Sequence, residues 1–134
     1  MIAKAILWVV AAFYAYGAVV HVLNMAGVSG FDWARAPLKW QVLDVVYLIL
    51  DVTVAIGLVL GWRTGYFAFF AAAVSQILLY TVFRAWIIDV PKEFARSPEE
   101  ISYLDGLVVF HVITISLVVL AIWLQRSSLA TTSG

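Results

Sequence analysis

WQVLDVVYLILDVTVAIGLVL (Trp40–Leu60) sets two aspartates inside an otherwise apolar run of 21 residues. A helix rises about 1.5 Å per residue, so a run of this length reaches across a hydrocarbon core of about 30 Å. At helical spacing Asp44, Tyr47 and Asp51 share one face, which predicts a transmembrane helix whose polar stripe turns toward protein rather than lipid. Three further stretches of similar length, Ala5–Asn24, Thr64–Phe83 and Gly106–Gln125, contain no acid at all.

Composition agrees with a membrane assignment. Hydrophobic residues make up 65% of the chain and charged residues 12%, where a soluble domain carries roughly 25% charged residues; mean hydropathy is +1.03. The absence of cysteine excludes disulfides, thiolate ligands, iron–sulfur clusters and thiol redox chemistry. Zero formal net charge offers nothing to nucleic acid, so the expected partner is the lipid bilayer.

These spans predict one all-α domain over residues 1–126: an up-down-up-down four-helix transmembrane bundle with helices near 5–24, 40–60, 64–87 and 97–125. The small, polar residues 127–134 read as a disordered tail. Ala5–Asn24 exceeds the length of a signal-peptide core and reads as a retained helix. Tryptophans 8, 40, 62, 86 and 123 each fall near a span end, where indole rings favour the headgroup level. Only Gly61–Gly65 separates the second and third helices, so these are antiparallel neighbours. Ser97-Pro98-Glu99-Glu100 has the form of a capping box and starts the fourth helix.

The short-loop side holds Lys4, Arg63 and Arg126 without acids, whereas the long-loop side mixes Arg35, Lys39, Lys92 and Arg96 with Asp32, Asp89, Glu93, Glu99 and Glu100. Four basic residues against three do not set the orientation by count. The purely basic character of the short-loop side places both termini in the cytoplasm of a cell membrane, in a bacterium the inner membrane.

Polar side chains inside the spans gather in the long-loop leaflet. The first helix places Tyr14, Gly17 and His21 on one face with Asn24 a turn further; the third contributes Gln76, Tyr80 and Arg84, and the fourth Asp105, His111 and Thr114. A charge at mid-bilayer costs on the order of 3 kcal/mol on insertion scales, so these groups should face inward and pair. Asp44 and Asp51 are about 10 Å apart along their helix, too far to share a proton, so their partners must come from other helices.

The candidate catalytic groups are therefore Asp51, Asp44 and His111, and the candidate ligand-binding groups His21, Tyr47, Gln76, Tyr80, Arg84 and Asp105. Asp51 is expected to carry a proton or face a cation, Arg84 to be the counter-charge of Asp51 or Asp44, and the histidines to hydrogen-bond or titrate. Bland readings stand beside these. Tyr14, Gly17, Tyr80 and Ala71–Ala73 also suit plain helix packing, Arg84 also suits snorkelling to the surface, and Asp105 also suits a capping role.

Four functions are compatible with this set. One is a pocket for an amphipathic small molecule, a quinone or lipid, in an accessory subunit of a membrane complex. A second is haem or metal ligation through His21 and His111, although no H-x-x-H or E-x-x-H pair is present. A third is acid/base catalysis on a lipid, of the isomerase type, and a fourth proton-coupled transport by a homodimer.

Asp51–Gly65 reads as an acid, an apolar run with Gly57, then Leu58-Val59-Leu60-Gly61 and Arg63 leading into an alanine-rich third helix. This stretch resembles the second-helix signature of the DoxX-like family. The resemblance implies a four-helix membrane protein associated with quinol-oxidising or other membrane redox complexes. Family members carry a basic residue in the first helix after a glycine, where this sequence has Gly17 followed by His21.

Overall fold

A computed structural model of the chain describes residues 1–28 and 30–131, with side chains described through Ser128. The described residues are helical, without a strand: α1 (Ile2–Met25), α2 (Leu38–Leu60), α3 (Arg63–Tyr80), the short α4 (Arg84–Ile88) and α5 (Pro98–Thr131). Short 3-10 turns at Trp33–Arg35 and Lys92–Phe94 punctuate the two longer connections.

Helix α1 packs against α2 and α5, and α3 against the same two, so the four long helices surround one interior. Contacts pair Gly17 with Asp51 and His21 with Asp44, Gly57 with Gly65 and Tyr47 with Ser75, Gln76 with His111 and Arg84 with Asp105. In each set the residue numbers run in opposite directions, which makes these neighbours antiparallel.

The turn between α2 and α3 follows from two glycines. Gly61 takes the left-handed conformation (φ 70°), which a residue with a Cβ rarely adopts, and Trp62 N–H closes back on the Gly57 carbonyl at 2.8 Å. A Cβ built on Gly57 would lie 2.8 Å from the Gly65 backbone nitrogen, so only two glycines permit this approach. Ser97 and Glu100 form the expected reciprocal cap at the start of α5. Glu100 N–H donates to Ser97 Oγ (3.2 Å), and Ser97 N–H donates to the Glu100 carboxylate (2.8 Å).

Two departures from the sequence reading concern helix limits. The helix expected over 64–87 is interrupted at residues 81–83. There Thr81 Oγ1 donates to the Ile77 carbonyl at 2.6 Å, and Phe83 N–H reaches the Leu78 carbonyl five residues back. The bond to a carbonyl five residues back takes the chain out of the i to i−4 ladder, and regular helix resumes at Arg84. At the other end, residues 127–131 continue α5 where a disordered tail was expected. The Ser127 and Ser128 hydroxyls donate to carbonyls one turn back, at Trp123, Leu124 and Gln125, a use of serine that helices tolerate. Residues 132–134 of that expected tail lie outside the described residues.

The interior is layered along the helix axes. Around the short-loop end lies an apolar core built on Leu7, Val10, Val54, Leu58, Phe69 and Val118, with Ala72 and Ala73 letting α3 approach closely. Beyond it comes a buried polar layer of Asp51, Gln76, His111 and Thr114. At the long-loop end a second cluster gathers Trp40, Tyr47, Leu79 and Ile87, with Phe31 and Phe94 against it.

Outward faces are apolar too. Val9, Phe13, Ile49, Phe67, Val109 and Ile113 are all more than half exposed. Three helices are long and apolar enough to cross a membrane, Ile2–Met25, Leu38–Leu60 and Pro98–Ser128. Helix α3, 18 residues that include Arg63 and Gln76, is not among them.

Candidate functional site

The polar stripes of α1 and α2 face each other. His21 Nδ1 lies 2.5 Å from Asp44 Oδ1, a charge-assisted hydrogen bond in which the ring nitrogen donates. The opposite ring nitrogen, Nε2, lies 3.7 Å from Asp51 Oδ2. Helical spacing explains the bridge: Asp44 and Asp51 sit two turns apart on α2, and the imidazole reaches between them from α1. Tyr47, between the two acids in sequence, stacks its ring on His21 with centroids 6.3 Å apart.

Gly17 makes this arrangement sterically possible. A Cβ at that position would come within 2.5 Å of Asp51 Oδ2, so the carboxylate occupies the space that any side chain would take. Asp51 is 4% exposed, and its other oxygen, Oδ1, has no hydrogen-bond partner among the described residues. An acceptor left bare in the interior costs roughly 1–3 kcal/mol or more, so apolar packing alone does not account for an acid at this position.

His111 belongs to a different network. Its Nε2–H donates to Gln76 Oε1 at 2.8 Å, and the Tyr14 hydroxyl donates to Nδ1 across a longer 3.4 Å. Thr114 Oγ1 in turn donates to the His111 backbone carbonyl. This buried set ties α1, α3 and α5 together and uses both imidazole nitrogens.

Arg84 is not the counter-charge of Asp44 or Asp51, as the sequence reading expected. Its guanidinium grips Asp105 with both terminal nitrogens, at 2.5 and 3.2 Å, and donates to the Ile101 carbonyl at 3.1 Å. The side chains are 31% and 62% exposed, so this is a surface clasp between α4 and α5. After the break Arg84 opens α4, where its partners are Asp105 and Ile101 of α5. His21 fills the role assigned to arginine.

At the long-loop end the helices and their connecting loops line a half-open cavity of about 120 Å³. Its polar wall combines His21, Asp44, Tyr47, Tyr80, Asn24 and Arg96; Phe31, Trp40, Leu43, Leu79 and Leu104 supply apolar wall. The Arg96 guanidinium lies over the Trp40 ring, 4.6 Å from its centroid, while Trp40 Nε1–H donates to the Ile87 carbonyl at 2.9 Å and anchors α4. Lys39 Nζ donates to the Trp86 and Asp89 carbonyls, each at 2.5 Å, closing the far end of α4.

Of the residues singled out from sequence, His21, Asp44, Tyr47 and Tyr80 share this cavity and Asp51 lies directly behind it. Gln76 and His111 form the separate inner network, and Arg84 and Asp105 the surface clasp. Two residues were missed. Trp40 continues the stripe of Asp44, Tyr47 and Asp51 by one turn, a signal present in the sequence but obscured by reading it only as an interfacial anchor. Arg96 lies in a loop, where no periodicity marks a side chain as inward.

The geometry does not fit joint ligation of haem or a metal by His21 and His111. Each imidazole is held by its own partners, and among the described residues no group of three His, Cys, Asp or Glu side chains is poised around a common point.

No protein-family model, curated protein or solved structure matches the chain. Function is therefore read from the cavity and the groups behind it.

Proposed function

We propose that this chain is a multi-pass membrane protein, its four long helices arranged up-down-up-down, and that its cavity binds the polar head of an amphipathic small molecule, a quinone or lipid. In this reading the protein is an accessory subunit of a membrane redox complex, as the likeness to DoxX-like proteins implies.

The observation that carries the reading is the composition of the cavity wall. Tyr47, Tyr80 and Arg96 offer hydrogen bonds to a carbonyl or hydroxyl head, His21 and Asp44 add a polar wall, and Phe31 and Trp40 offer flat apolar surface to a ring. At about 120 Å³ the cavity suits a head group alone, since sites enclosing a whole drug-sized ligand run from about 300 Å³ upward. The tail would lie outside, along helix faces that are already apolar. Three helices long and apolar enough to cross a bilayer support the membrane setting.

Titration of the purified protein in lipid nanodiscs with decyl-ubiquinone, and separately with short-chain phospholipid, tests the proposal. Saturable binding to the wild type is expected for one of the two, weakened about 3–10-fold in Tyr80→Phe through loss of one hydrogen bond and further in His21→Ala. Non-saturable partitioning, equal in wild type and both variants, would overturn it.

A further inference from the structure

The His21 imidazole is held between two carboxylates, one at the cavity and one sealed behind it. Asp44 lines the cavity wall; Asp51 does not reach it and is buried. The imidazole contacts both acids and so spans the gap between Asp51 and the cavity wall. We propose that His21 is a proton relay linking Asp44 at the cavity wall to the interior carboxyl of Asp51.

Hydrogen-bond chemistry sets the states. The 2.5 Å contact between His21 Nδ1 and Asp44 Oδ1 requires a proton on that line, and with Asp44 ionised that proton is an N–H on Nδ1. In a neutral ring Nε2 then presents a lone pair toward Asp51 Oδ2, an arrangement that is favourable only if the Asp51 carboxyl carries the second proton. This is the loaded state. Unloading moves the Asp51 proton to Nε2 while the Nδ1 proton passes to Asp44, so one O–H and one N–H bond break and one of each forms. The ring changes tautomer but not charge, and no oxidant or reductant takes part.

The transfer needs a small closure, because Nε2 and Oδ2 lie within ion-pair range but not yet within hydrogen-bond range. The Nε2 to Oδ2 gap of 3.7 Å is too long for a hydrogen bond, and closing it by roughly 0.5 Å brings the atoms to transfer distance. Gly17 leaves space for Asp51 at that point, where a methyl group would collide with the carboxylate. Asp51 Oδ1, without a partner among the described residues, leaves this carboxyl unanchored on its second side. Facing the relay, among the described residues, are Tyr14 from α1, Tyr47 from α2, Tyr80 from α3 and Arg96 from the loop before α5, and no further acid. The relay works on protons alone and does not depend on the identity of any cavity ligand.

Infrared difference spectroscopy on the ligand-free protein in nanodiscs tests it. A protonated-carboxyl C=O band that shifts in deuterium oxide is expected in the wild type and should vanish in Asp51→Asn. In His21→Gln, which keeps polar atoms near both acids but cannot pass a proton through a ring, the band should remain and its deuterium exchange slow on the order of 100-fold. Should His21→Gln not fold, the near-isosteric Asp44→Asn is held to the same criterion. A band that survives in Asp51→Asn, or exchange as fast in the His21 or Asp44 variant as in the wild type, would overturn the relay while leaving ligand binding untouched.

Discussion

Gly17 shows most directly how one residue makes the site. Its missing side chain is filled by a carboxylate from the neighbouring helix, so Gly17→Ala should displace Asp51 and lower stability by about 1–3 kcal/mol, as overpacking does. Gly106→Ala provides the control, because a Cβ there meets no neighbouring atom within 4 Å, and a change within about 0.5 kcal/mol is expected. Unfolding of both variants in mixed micelles checks the contrast, and equal losses would remove Gly17 from the account. At this scale much was legible. Tyr14, Gly17 and His21, and Asp44, Tyr47 and Asp51, follow helical spacing, and that period alone puts each set on one face. The partner of Arg84 was not legible, because its direction depends on a break in the chain three residues earlier.

That break belongs to the scale of elements. Residues 64–87 are apolar enough to read as one helix, and no proline or glycine near Thr81 marks an interruption. It is marked instead by a backbone bond of different span, the Phe83 amide to the Leu78 carbonyl five residues back. Propensity is too weak to announce such a choice. The α2–α3 hairpin is the opposite case, since five residues with a glycine at each end leave little room for anything but reversal. Gly57→Ala should cost about 1–3 kcal/mol by forcing the backbones of α2 and α3 apart. Thermal unfolding read by circular dichroism measures this, and a wild-type midpoint would show that the close glycine contact is not a constraint.

Across the whole molecule, both the interior and the exterior are apolar, and the polar groups form a layer between two apolar clusters. Composition makes the apolar character legible, while the layering is legible only from where the polar residues fall within each span. In the proposed membrane setting, tail-facing side chains would gain little from burial, and close packing and interhelical hydrogen bonds such as His111 to Gln76 would hold the helices together. Ile113, more than half exposed near the middle of α5, tests the setting. Ile113→Arg should disfavour insertion by about 2.5–3.5 kcal/mol in a glycosylation-mapping assay, and unchanged insertion would show that this face does not meet lipid. The glycine contact also has a mechanical side. With Gly57 and Gly65 touching backbone to backbone, α2 and α3 resemble a pair of tongs joined at the handle. The arm from Gly57 to Asp44 is about 20 Å long, so a tilt of about 3° at the joint shifts Asp44 by about 1 Å while the Phe69 region stays still. A small change of angle at that contact would thus alter the cavity mouth far more than the apolar end of the bundle.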